Sequence, residues 1–355
     1  MQNVKKKTAA ILHGCALGVL VSLAACGGGG GGVGGSPAAA LPAAGIRVVG
    51  LAAAELGVNA SLNGALPFPG DNPWNTDIST APVDPDSDLL IASIGSALPL
   101  HPGFGAAIYG GARIGVPYVV VGAAQPKVAV SFGASAAESD AGPYPIPPDA
   151  PIEGQPVSGS GSLGGDRHVI VLDRDSNRLY ELFNARINPS GTWNADAGAV
   201  FRLDSNVVRP GAQPGWTSAD AAGLPIFPGL VRYDEASSGR IRHALRFTVS
   251  RTRRAYVPPA NHASSLSNDA NLPPMGMRVR LKSSFVIPET YSPEVQAILR
   301  ALKAYGMIVA DNGTGWNISG VPDARWDDDT LVSQLANVIG ADFEVIRMDG
   351  LTALP

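Results

Sequence analysis

Arg167-His168-Val169-Ile170-Val171-Leu172-Asp173, then Arg174-Asp175-Ser176-Asn177, then Arg178-Leu179-Tyr180-Glu181-Leu182-Phe183: two runs of β-formers enclose four turn-formers. β-Branched and aromatic side chains fit a pleated, packed surface, while Asp, Ser and Asn favour turns, so the stretch reads as a β-hairpin. Working outward, similar runs predict strands at 117–122, 127–132, 199–203, 242–249, 254–257, 276–282, 306–310 and 342–348. In Arg242-His243-Ala244-Leu245-Arg246-Phe247 the alternation suits a half-buried strand. The chain holds 43 Gly and 30 Pro spread through the body, with only 16% charged residues. That composition argues for short strands joined by turns, against a helical bundle.

Helical signals are few. Ser292 is placed to cap, Pro293 stands at the first helical position, and Val295, Ile298, Leu299 and Leu302 form one apolar stripe ended by Gly306. A second helix is expected after Asp327-Asp328-Asp329 through Leu331, Leu335 and Val338, and a short capped one after Asp84-Pro85-Asp86. No period of roughly 20–50 residues recurs, which disfavours propellers and solenoids. The expected fold is therefore mainly β: a two-sheet sandwich or jelly-roll-like single domain with a few flanking helices near the C-terminus.

The N-terminal region carries a different signal. Lys5, Lys6 and Lys7 precede a mostly apolar run from Ala9 to Leu23, the pattern of an export signal. The run is short and interrupted for a bilayer span, which needs about 20 apolar residues. Leu23-Ala24-Ala25-Cys26 resembles the lipobox of bacterial lipoproteins. That resemblance implies cleavage before Cys26, lipid on its thiol, acylation of the new amine, and membrane attachment through those chains. The glycines that follow, with no aspartate after Cys26, imply by the same resemblance a place in the outer membrane. Residues 27–37 are mostly Gly and read as a flexible coil. The expected organisation is a signal peptide over 1–25, a lipidated Cys26 with a Gly/Ala-rich tether over 26–66, and a β-rich globular domain over 67–355. The body also looks like secreted bacterial proteins of unknown function, a likeness that implies no activity.

Composition excludes several chemistries. Losing residues 1–25 removes three lysines and no acid, so the formal charge falls from −4 to −7. A mildly acidic body is a poor partner for nucleic acid. The two cysteines are Cys15, lost with the signal, and Cys26, consumed by lipid, so the body has no thiol chemistry. Gly159-Ser160-Gly161-Ser162-Leu163-Gly164 matches a dinucleotide fingerprint on paper but leads into a strand, and no G-x-S-x-G or H-E-x-x-H occurs. Asp84, Asp86 and Asp88 start like a calcium loop, yet Leu89 and Gly95 stand where glycine and glutamate are needed. No metal site is assigned, and the sequence leaves the cofactor unknown.

The remaining candidates are histidines, acids and aromatics. His168, His243 and His262 could gather in one cleft as acid/base groups or as metal ligands, or could each be structural. Glu138 and Asp140 would share a face if their stretch is extended, the arrangement a glycoside hydrolase would need, or else form turns. Asp220 follows Trp216 as a further acid. Trp74, Trp193, Trp216, Trp316 and Trp326 occupy mostly polar loops, as in sugar-binding clefts, or anchor those loops to a core. The functional expectation is a membrane-anchored, extracytoplasmic enzyme cleaving polysaccharide by hydrolysis or lyase chemistry. In it Glu138, Asp140, His168, His243 and His262 are catalytic, and Trp216, Tyr256 and Arg246 bind substrate, Arg246 neutralising a uronate. The alternative is a non-catalytic glycan-binding or structural surface lipoprotein.

Overall fold

The hairpin forms as read. In the computed structural model, which describes residues 50–158 and 164–354, the strand Val169–Asp173 pairs antiparallel with Arg178–Phe183, from Val169 opposite Leu182 to Asp173 opposite Arg178. Asn177 at the turn takes a positive φ of 51°, which Asn tolerates better than most residues. The signal segment, Cys26, the tether up to residue 49 and the loop 159–163 lie outside the described residues.

Three sheets stack around this hairpin. A five-stranded sheet runs in the order Gly57–Val58, Val119–Val121, Val169–Asp173, Arg178–Phe183, Ala197–Arg202. One of its faces, carrying Ile170, Leu172, Leu179 and Phe201, belongs to the main core, which also takes Leu245, Phe247, Val279 and Met307 from a six-stranded sheet. The opposite face, carrying Val169, Val171, Tyr180 and Leu182, closes a second core with Tyr144, Ile146, Trp193 and Ala195. Because both faces are covered, Val169-Ile170-Val171-Leu172 is apolar without interruption. The six-stranded sheet runs Phe343–Val345, Arg278–Leu281, Met307–Asn312, Leu245–Val249, Asn317–Ile318, His101–Pro102. The chain is mainly β and sandwich-like, as expected, with a small third sheet over the second core.

Helix Pro293–Ala304 buries its Val295, Ile298, Leu299 and Leu302 stripe against the main core, and the Ser292 hydroxyl accepts from the Val295 amide. Gly306 has φ 66°, and its Cα faces the Val279 carbonyl so closely that a Cβ would lie 2.2 Å from that oxygen. Glycine is required there on both counts. Helix Asp328–Leu335 forms behind its Asp327 cap but stops short of Val338, and helix Ser87–Ile94 forms without a side-chain cap from Asp86. Among the described residues no helix is long and apolar enough to cross a membrane.

Two expectations change. The tether was expected to reach residue 66, yet Leu51, Ala54, Leu62, Ala65 and Leu66 are all buried. Alanine-rich sequence hid this, since spaced apolar residues fill gaps without a periodic pattern. The 242–249 stretch was expected to be half-buried, but the strand begins at Leu245, and Leu245, Arg246, Phe247 and Val249 are all buried. Its polar position, Arg246, is buried because it meets an acid inside the protein.

Candidate functional site

Thr217-Ser218-Ala219-Asp220-Ala221-Ala222 crosses the end of the five-stranded sheet as a strap without regular structure. A loop laid over a core must have its backbone polar groups satisfied from outside itself. Side chains from five separate parts of the chain hold it, four of them through its backbone and Arg246 through the Asp220 carboxylate. His168 Nε2 donates to the Ala219 carbonyl at 3.0 Å, and His262 Nδ1 donates to the Ala221 carbonyl at 2.7 Å. Arg246 donates to the Asp220 carboxylate at 2.6 Å. The Thr217 amide donates to Glu138 Oε2 at 2.7 Å, and its carbonyl accepts from Arg209. Arg209 is itself oriented by Asp140 at 2.8 Å.

Beneath the strap lies a buried charged layer. His168 Nδ1 meets Glu153 Oε2 at 2.7 Å. Both ring partners of His168 are acceptors, so both nitrogens carry protons and the ring is an imidazolium. Burial alone would lower its pKa, but the Glu153 carboxylate outweighs that and raises it to about 9. Glu181 is fully buried and accepts from the Ile226 and Phe227 amides at 2.9–3.0 Å. Burial, against those donors, pushes it up to about 7.

Above the strap opens a cleft of about 310 Å³ whose lining includes Asp166, Ser218, Asp220, His262, Ser264 and Asp311. Asp311 stands at the end of the strand Met307–Asn312, and burial together with repulsion from Asp220 raises its pKa to about 6. It therefore holds a proton for part of the time near neutral pH. His262 spends its Nδ1–H on a carbonyl, which leaves the Nε2 lone pair as its remaining polar site. A proton donor and a proton acceptor thus line one cleft. No Lys or Arg lines it among the described residues. Nor do three or more His, Cys, Asp or Glu side chains among those residues cluster as a metal site.

The structure redistributes the expected roles. His168 and His262 converge on the strap, but His243 does not: it is buried elsewhere, bonded to the Ala244 carbonyl at 2.8 Å and Glu235 at 3.1 Å. Arg232 and His243 hold Glu235 ionised against its burial, down to about 2. Glu138 ends a 3₁₀ turn, Ala136–Glu138, so it and Asp140 share no strand face. Both carboxylates are spent on strap and strand, Asp140 also accepting from the Val200 amide at 2.8 Å. Arg246 is 5% exposed and neutralises Asp220, so it is not free to meet a uronate. Tyr256 is buried in the core, in a short strand pair with Thr352. Trp74, Trp193, Trp316 and Trp326 are buried and act as anchors, leaving Trp216 half-buried beside Arg209, whose guanidinium lies 5.8 Å from its ring.

Sequence reasoning missed Glu153, Glu181 and Asp311. Glu181 was legible only as a polar gap in an apolar strand, which a surface face would explain equally well. Asp311 follows Val309-Ala310 at a strand end, a weak signal by itself. The chain matches no protein-family model, no curated protein and no solved structure.

Proposed function

We propose that this chain is a lipid-anchored, extracytoplasmic hydrolase that cleaves a neutral polysaccharide in the cleft of Asp166, Asp311 and His262. The observation that carries the reading is the pairing of a carboxyl held near pKa 6, Asp311, with a histidine whose Nε2 is unengaged, in a cleft about 310 Å³ in volume. Groups whose surroundings set their protons differently are the working parts of acid/base catalysis. Asp311 protonates the leaving glycosidic oxygen as the C–O bond breaks. His262 Nε2 takes the proton of the water that attacks the sugar carbon. The lining favours a neutral polymer, since acids without cations would repel a uronate. Arg246, spent on Asp220, removes the lyase arrangement. Attachment at Cys26, in the outer membrane, rests on the lipobox resemblance of Leu23-Ala24-Ala25-Cys26.

A non-catalytic glycan-binding lipoprotein is the second reading, favoured by the structural work of Glu138 and Asp140. One set of preparations separates the two. The native chain is expected in the membrane fraction and Cys26→Ser in the soluble fraction. The soluble form is expected to release reducing ends from a neutral polymer without forming unsaturated products. Asp311→Asn should lower the rate by about 100-fold or more, and wild-type activity should fall as pH rises past about 6. Binding without reducing ends across neutral and uronic polymers would leave the binding lipoprotein as the answer.

A further inference from the structure

The strap separates two hollows. Ala219 to Ala221 and His262 line the cleft, while the next residues on the same segments, Gly223 to Pro225 and Asn261, line a second cavity of about 350 Å³. Its wall also includes Trp74, Phe201, Asn206 and Arg209. That volume lies at the small end of the range for ligand sites, about 300–1,000 Å³.

The chemistry of this wall is specific. Trp74 is 1% exposed, and its indole N–H, like that of Trp193 and unlike those of Trp316 and Trp326, donates to no described residue. That nitrogen is not fully sealed from solvent, and the residue lines the cavity. A buried tryptophan with an unspent donor is costly unless something accepts from it. Asn261 donates to the Gln213 carbonyl at 2.8 Å, which leaves its Oδ1 as an acceptor. Asn206 is fixed by Asp71 at 3.0 Å and Asn72 at 3.2 Å, giving a rigid rim. Arg209 lends no free charge, because Asp140, the Thr217 carbonyl and the Glu138 carbonyl take its guanidinium. One donor, one acceptor, an aromatic and proline floor and no net cation suit an uncharged ring bearing hydroxyls.

We infer that this second cavity is a subsite for a neutral sugar ring, one hydroxyl accepting from Trp74 Nε1–H and another donating to Asn261 Oδ1. The inference rests on reading the neighbouring cleft as a polysaccharide site.

Its test uses the Cys26→Ser chain with short cello-, xylo-, manno- and malto-oligosaccharides, read by calorimetry and tryptophan fluorescence. At least one series binds, and Trp74→Phe, which keeps a ring but removes the N–H, weakens it about tenfold under conditions where circular dichroism shows the variant folded. Ala212→Trp, placed on the half-exposed cavity lip, abolishes binding by filling the hollow. No binding by any series, or binding untouched by both variants, overturns the subsite. The two readings fail separately. Trp74-dependent binding with no cleavage of any polymer sinks the hydrolase and keeps the subsite, while cleavage indifferent to Trp74 and Ala212 does the reverse.

Discussion

At the residue scale, the most consequential contact is His168 with Glu153. Two acceptors hold the ring charged inside the protein, and the Glu153 carboxylate is the group that compensates the charge. Replacing it with the neutral amide of Glu153→Gln leaves a buried imidazolium without a counter-ion. Breaking one side of a buried pair typically costs about 3–5 kcal/mol, so the variant should show a loss of that order in urea unfolding. A loss below about 1 kcal/mol would mean that the ring sheds its proton instead. The sequence announced His168 as a candidate, but not its partner, because 15 residues and a loop separate the two.

At the element scale, the strap explains why so many chemically suggestive residues were found and so few are free. Glu138, Arg246, His168 and His262 were legible as polar groups in unusual places, and all four prove to bind this one segment. Their convergence was not legible, since the strap has neither helical nor strand periodicity. The segment 50–66 gives the second lesson. Read as leash, it buries Leu51, Leu62 and Leu66 in the fold. Loss of a buried leucine costs about 2–5 kcal/mol, and a domain's whole stability is about 5–15 kcal/mol. A chain begun at residue 67 should therefore lose cooperative unfolding by near-ultraviolet circular dichroism, while one begun at residue 50 keeps it. A cooperative transition in the shorter chain would return 50–66 to the tether.

At the scale of the whole molecule, the buried charges set a pH dependence. His168 has its folded pKa raised from 6.5 to about 9, so its stabilisation is full below about 6.5 and is lost as pH rises through about 9. Glu181 and Asp311 are raised to about 7 and about 6, so the native state binds more protons than the unfolded one between their ordinary values and those. Stability falls there too as pH rises. Glu235 works on the other side: lowered to about 2, its contribution is present above about 4.5 and lost as pH falls through about 2. The urea midpoint should therefore peak in mildly acidic solution, near about pH 5, and decline steadily towards pH 9. His168→Gln should flatten the upper part of that decline; a midpoint rising between about pH 6 and 9 would contradict the charge assignment.

The sequence by itself determined the mainly β class, the 167–183 hairpin, the capped helices and the absence of a thiol in the body, because each depends on neighbours within a few residues. Turn chemistry, caps and apolar runs are local, and the folded chain kept them. Tertiary structure alone decided which polar residues are spent and which are available. Whether Arg246 meets a substrate or Asp220, and whether Trp74 faces solvent or floors a cavity, depends on contacts between segments far apart in the chain. Such contacts carry no period that a sequence can display, and burial makes it costly to remove one side of them.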